Sequence, residues 1–186
     1  EGIAGIEVAG PGFLNISVDA SAQGRVAAEI VAAGTSYGTL ATLAGMRINV
    51  EFISANPTGP LHLGHTRWAV LGDAIARVLA AAGAEVTREF YINDRGNQMN
   101  LFGASIEAAA LGLQTPEDGY QGEYIGDLAD QILSVNPEIL DLPADERLAA
   151  FREAGYAAQL KEQQVALESF NTHFDVWFSE RALHAD

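Results

Sequence analysis

The chain has no cysteine. That excludes a disulfide framework and thiolate-bound metal, and it favours a reducing compartment. No apolar stretch approaches the roughly 20 residues that a membrane-spanning helix needs, so no membrane partner is expected. Positive charge is scarce: 10 Lys and Arg stand against 25 Asp and Glu, a net charge of −15 at pH 7. An acidic surface repels phosphodiester backbones, which excludes broad nucleic-acid binding by this piece alone. The acid-rich positions read instead as solvated faces. Glu1-Gly2-Ile3-Ala4-Gly5 carries neither an initiator Met nor a basic leader, so the chain starts as if cut from something longer. No internal repeat or low-complexity segment is present. What remains is 186 residues, 48% hydrophobic, enough for one or two domains with a sizeable core.

Texture changes along the chain. In the first 20 residues Leu14, Ile16 and Val18 alternate after the break Gly10-Pro11-Gly12, which predicts a hairpin or strand-turn-strand. Two short strands are not stable alone, so they are expected to belong to a larger sheet. Residues 21–45 predict a linker helix through Val26, Ile30 and Val31, stopped at Gly34. Alternation of Ile48, Val50 and Phe52 with Asn49 and Glu51 predicts a strand over about 47–54. Leu71, Ile75, Val78, Leu79 and Ala82 predict an amphipathic helix closed by Gly83, and Val86–Ile92 a second strand. Strand, helix and strand with short joints make one right-handed βαβ unit in a parallel sheet. Beyond residue 100 the pattern is helical, with segments near 101–109, 125–133 and 145–170 and breaks at Pro137 and Pro143. The fold class is therefore α/β: a Rossmann-like parallel-sheet nucleotide-binding half-domain with a helical insertion and a short N-terminal β segment.

In such a sheet, ligands bind beyond the carboxyl ends of the strands. Here those ends are Ser54-Ala55-Asn56 and Asn93-Asp94, predicted to face one crevice. Between them runs Pro57-Thr58-Gly59-Pro60-Leu61-His62-Leu63-Gly64-His65, a proline-bracketed turn that opens directly into the helix. A helix start offers free N–H groups and a positive dipole end to phosphate oxygens. Gly64, lacking Cβ, leaves room for a base or sugar to approach the backbone. His62 and His65 lie one turn apart on one face and are placed to hydrogen-bond phosphate oxygens during displacement at an α-phosphorus. Paired histidines also suit zinc, with Asp94 as a third ligand, but the prolines and Gly64 then have no purpose. The nucleotide reading is preferred, and no metal site is assigned.

The string from Val50 to His65 resembles the ATP-binding signature of class I aminoacyl-tRNA synthetases. Its flanks, with Leu71-Gly72-Asp73-Ala74 and Tyr91-Ile92-Asn93-Asp94-Arg95-Gly96-Asn97-Gln98, resemble the arginine-specific members. The resemblance implies residues 1–20 as the end of an N-terminal tRNA-binding domain and 46–100 as the first part of the catalytic domain. It makes 101–186 a helical connective insertion that returns to the catalytic fold near Phe174–Glu180. It implies ATP, with Mg2+ carried on the nucleotide, L-arginine and an arginine-accepting tRNA as ligands of a monomeric cytoplasmic ligase. By the same resemblance His62 and His65 are catalytic. Pro57, Thr58, Gly59, Pro60 and Gly64 join them around ATP, and Glu51, Ser54, Ala55, Asn56, His65 and Asn93 surround arginine. A carboxylate at Glu51 suits a guanidinium; its other reading is an outward-facing strand residue. The family's lysine-rich loop and the tyrosine and aspartate for the guanidinium are absent here, so this piece alone is expected to be inactive. Two other functions stay open: a nucleotidylyltransferase with the same histidine signature, and a noncatalytic ATP-binding module.

Overall fold

A computed structural model describes residues 2–184. Strands β1 (Ile3–Val8) and β2 (Leu14–Val18) form an antiparallel hairpin, and α1 (Ala20–Ala33) follows, ended by Gly34 in the left-handed region. Every residue of the hairpin strands is exposed, as is Phe13 in the turn between them, so this β segment has no core of its own. Its apolar residues need another surface to bury them.

The central unit has the expected topology. Strand β3 (Arg47–Glu51) runs parallel to β4 (Glu85–Ile92), joined by α2 (Leu63–Ala81). Gly83 leaves α2 with φ +101°, and a Cβ there would meet the Leu40 carbonyl at 2.8 Å. Helix and sheet approach closely because Gly72 faces Phe52, with Ala69 and Ala76 buried on the same side. This corrects the sequence expectation for α2: Leu71, Ile75 and Val78 are exposed, and the small residues carry the packing. The strand is also shorter than expected. It ends at Glu51, because Ile53 and Ser54 turn into positive φ (67° and 43°), a conformation that costs energy in a β-branched residue.

Three helices follow, α3 (Asn97–Ala110), α4 (Glu123–Val135) and α5 (Ala144–Ser169), and then β5 (Val176–Ser179), which adds parallel to β4. The sheet order is β3-β4-β5. One core lies among the helices, around Phe102, Ile106, Ile132 and Phe151; the other lies on the sheet, around Phe52, Ile53, Phe90 and Ile92. Helix α5 joins them. Its Phe151 sits in the first core, its Leu167 in the second, and Tyr156 packs against both. The buried positions along it are Phe151, Gly155, Gln159, Gln163 and Leu167, every fourth residue. No helix among the described residues is long and apolar enough to cross a membrane.

Candidate nucleotide-binding site

The left-handed step at Ile53 and Ser54 aims the Ser54 hydroxyl at both strand ends. It donates to Glu51 Oε1 at 2.6 Å and accepts the Tyr91 N–H of β4 at 3.1 Å. Ile53 and Ala55 are buried in the sheet core, which holds the strained step in place. Asn56 is exposed and donates through Nδ2 to Gln98 Oε1 at 2.8 Å. Asn93, at the end of β4, is half-buried. The polar groups of Glu51, Ser54 and the β4 terminus therefore meet at the carboxyl edge of the sheet, as parallel topology requires.

The turn comes next. Pro57 and Thr58 are buried, so they act through shape and backbone, whereas Gly59 is half-buried and Pro60 exposed. At the start of α2, His62 is the N-cap. Its Nδ1 accepts the Gly64 N–H at 3.1 Å, and His65 Nδ1 accepts the His62 N–H at 3.2 Å. This is a reciprocal capping box made of two imidazoles. The rings stack with centroids 3.8 Å apart. Because both Nδ1 atoms accept, each neutral ring keeps its proton on Nε2. Burial, followed by the influence of His62, pushes the His65 pKa below its ordinary 6.5. The helix start is thus less open than the sequence implied, since His62 already holds the Gly64 N–H. The need for glycine at 64 also has a nearer cause: a Cβ there would lie 2.9 Å from His62 Cε1.

Trp68, one turn on, meets His65 edge-on at 6.0 Å. It and Leu71 line two adjoining hollows. One, about 710 Å³, is walled by Gly64, Thr66 and Arg67; the other, about 310 Å³, by Glu51, Ile53 and Gly72. Trp68 and Leu71 are thereby shared walls between a hollow at Gly64 and one at Glu51, and neither His62 nor His65 lines either.

Asp94 does not join the crevice. It is 1% exposed and accepts from the Tyr156 hydroxyl (3.1 Å), the Ser179 hydroxyl (2.5 Å) and the Arg181 N–H (3.2 Å). Arg181 in turn pairs with Glu153, and its hydrogen bonds draw the Glu153 carboxyl below its usual range. Burial and the neighbouring Asp94 push the Tyr156 phenol up to about 12. Asp94 is a structural hub, and as such is unavailable as a third metal ligand for the histidines. His173 and His184 are exposed, with His173 bound to Glu168 and Asn171. Sequence reasoning missed Trp68, Tyr124, Gln98 and Gln163. Of these only Gln98 was in view, as the last residue of the string Tyr91 to Gln98, without a role; Gln163 shows only in hindsight, as one of the every-fourth-residue buried positions of α5.

A parallel βαβ unit whose helix is capped by paired histidines at the sheet's ligand edge defines half of a nucleotide-binding α/β domain. The family of class I (R) tRNA synthetases, catalytic domain, matches residues 27–172, and the chain belongs to that family. An arginine–tRNA ligase of Pseudarthrobacter chlorophenolicus is 55% identical over 98% of this chain and 33% of its own length. A solved structure from Campylobacter jejuni, provisionally named an arginyl-tRNA synthetase, superposes with TM-score 0.76 at 30% identity, covering 86% of this chain and 36% of that one. The arginyl-tRNA synthetase of Thermus thermophilus superposes with TM-score 0.55 at 28% identity, over 96% and 29%. This chain spans about a third of the length of the curated relatives it matches.

Proposed function

We propose that this chain supplies the ATP-gripping half of an arginine–tRNA ligase, a monomeric cytoplasmic enzyme. The observation that carries the reading is the stacked His62–His65 cap at the start of α2, beside the Glu51–Ser54 edge, in a chain of this family. Mg2+ arrives on the triphosphate; among the described residues no cluster of three His, Asp or Glu offers it a site of its own. A carboxylate oxygen of arginine attacks the α-phosphorus and pyrophosphate leaves, giving arginyl-adenylate. A 3′-terminal ribose hydroxyl of tRNA then takes the arginyl group and AMP departs.

The residues divide the work by chemistry. Each Nε2–H of His62 and His65 donates to phosphate oxygens, stabilising charge that shifts during displacement. A phosphate that reaches the Gly64 N–H displaces the His62 ring from it. Pro57, Thr58, Gly59 and Pro60 form the wall of the nucleotide site. Glu51 pairs with the guanidinium, while Ser54, Ala55, Asn56, Asn93 and His65 surround the α-amino and carboxylate end. The testing experiment incubates the complete gene product with labelled arginine, ATP and unfractionated tRNA. Acid-precipitable arginine that depends on all three is the expected result. Tight ATP binding with no arginylation overturns it in favour of a noncatalytic module.

A further inference from the structure

Turn 56–59 has almost no support from its own neighbours. Pro57 and Pro60 lack N–H groups, and three of its carbonyls are held instead from the helical segment. The buried Gln163 amide on α5 donates one hydrogen to the Asn56 carbonyl at 3.0 Å and the other to the Gly59 carbonyl at 2.9 Å. The Tyr124 hydroxyl on α4 donates to the Thr58 carbonyl at 3.0 Å. Gln163 is 1% exposed, and its Oε1 has no hydrogen-bond partner. Burying an amide with its oxygen unpaired is unfavourable; a methionine or leucine would spare that cost but would leave the Asn56 and Gly59 carbonyls without donors. With both donors on one turn, Gln163 is built to hold that turn.

We propose that Gln163, seconded by Tyr124, is a positioning residue for ATP. It clamps turn 56–59 so that His62, three residues beyond Gly59, meets the phosphates in the right place. The helical segment is then part of the activating site, and its packing is read out at the nucleotide. The inference rests on the proposed ATP-binding role of that turn.

The test uses the complete gene product carrying Gln163→Met, which keeps the volume and removes both donors. The expected result is a rise of about tenfold in the KM for ATP, from a lost interaction made with bound nucleotide in place. Thermal stability should fall modestly, because the Asn56 and Gly59 carbonyls lose their donors, with the variant still folded at the assay temperature. Hydrogen exchange at the His62 and Gly64 amides should quicken, because the cap they belong to loses its anchor. An unchanged ATP KM in a folded variant overturns the proposal, as does a fall in stability that accounts for the whole loss of activity. If Gln163→Met does not fold, Tyr124→Phe decides: a rise of about threefold in ATP KM supports the clamp, and no change overturns it. The amide-exchange arm needs no substrate. An inactive wild-type protein would therefore sink the ligase reading, while the clamp would still stand or fall on exchange at residues 62 and 64.

Discussion

The neutral His65 imidazole is the point where the cap is most sensitive to acid. Its Nδ1 accepts the His62 N–H, and a proton on that nitrogen would turn acceptor into donor and break the box. Burial first, and His62 second, hold its folded pKa below 6.5. Between that lowered value and 6.5 the unfolded chain binds more protons, so stability rises with pH across this window and is flat above it. Melting curves over about pH 5 to pH 7 should show an acid-side loss that shrinks in His65→Asn; equal slopes in both proteins would contradict the assignment. Gly64→Ala separates stability from geometry. The added Cβ would lie 2.9 Å from Cε1 and 3.1 Å from Nδ1 of the His62 ring, so the ring must swing off the Gly64 N–H; the lost cap costs about 1 kcal/mol, which alanine's better helix propensity largely offsets. The displaced ring no longer faces the phosphates, and arginine-dependent exchange of pyrophosphate into ATP should fall by about 10- to 100-fold.

Helix packing depends on small residues as much as on large ones. A Cβ at Gly103 would lie 2.7 to 3.1 Å from the Cβ, Cα and N of Arg152, and one at Gly155 would lie 2.4 Å from Ile106 Cδ1. Helices α3 and α5 therefore cross at glycines. Backbone atoms cannot retreat as a side-chain tip can, so Gly103→Ala should cost about 1–3 kcal/mol in denaturant unfolding. A loss below about 0.5 kcal/mol would show that the crossing is looser than this. The same packing explains what the sequence made legible. Strands β3 and β4 and the span of α2 were readable because alternation and breakers report on backbone. The polar residues of the turn were readable because parallel topology places them at the ligand edge. The faces were not. On α2 the large apolar residues Leu71, Ile75 and Val78 point outward while Ala69, Gly72 and Ala76 pack on the sheet, so a hydrophobic stripe marked the wrong side. On α5 two of five buried positions are glutamines, which a search for apolar periodicity discards. Asp94 read as facing the crevice because nothing in the string Asn93-Asp94 foretells that Tyr156, Ser179 and Arg181 converge on it.

At the scale of the molecule, the exposed apolar surface and the charge point the same way. Trp68, Val70, Leu71, Ile75 and Val78 are exposed along α2, and the apolar residues of the β1–β2 hairpin are exposed too. The relatives are about three times as long, and the charge of −15 opposes capture of tRNA by this part alone. Under the function proposed above, this chain carries one half of a shared activating site, with the histidine cap and the Glu51–Ser54 edge, and the groups that would enclose the leaving pyrophosphate and the guanidinium belong to the rest of the complete ligase. Arginine-dependent exchange of pyrophosphate into ATP tests this most directly, with this 186-residue chain assayed beside the complete ligase of Pseudarthrobacter chlorophenolicus. The loss of a single transition-state contact costs roughly 10²–10³ in rate, so the chain alone should exchange at least that much more slowly than the complete enzyme. Comparable exchange by the two would contradict the account, because the machinery for activation would then be complete within these residues.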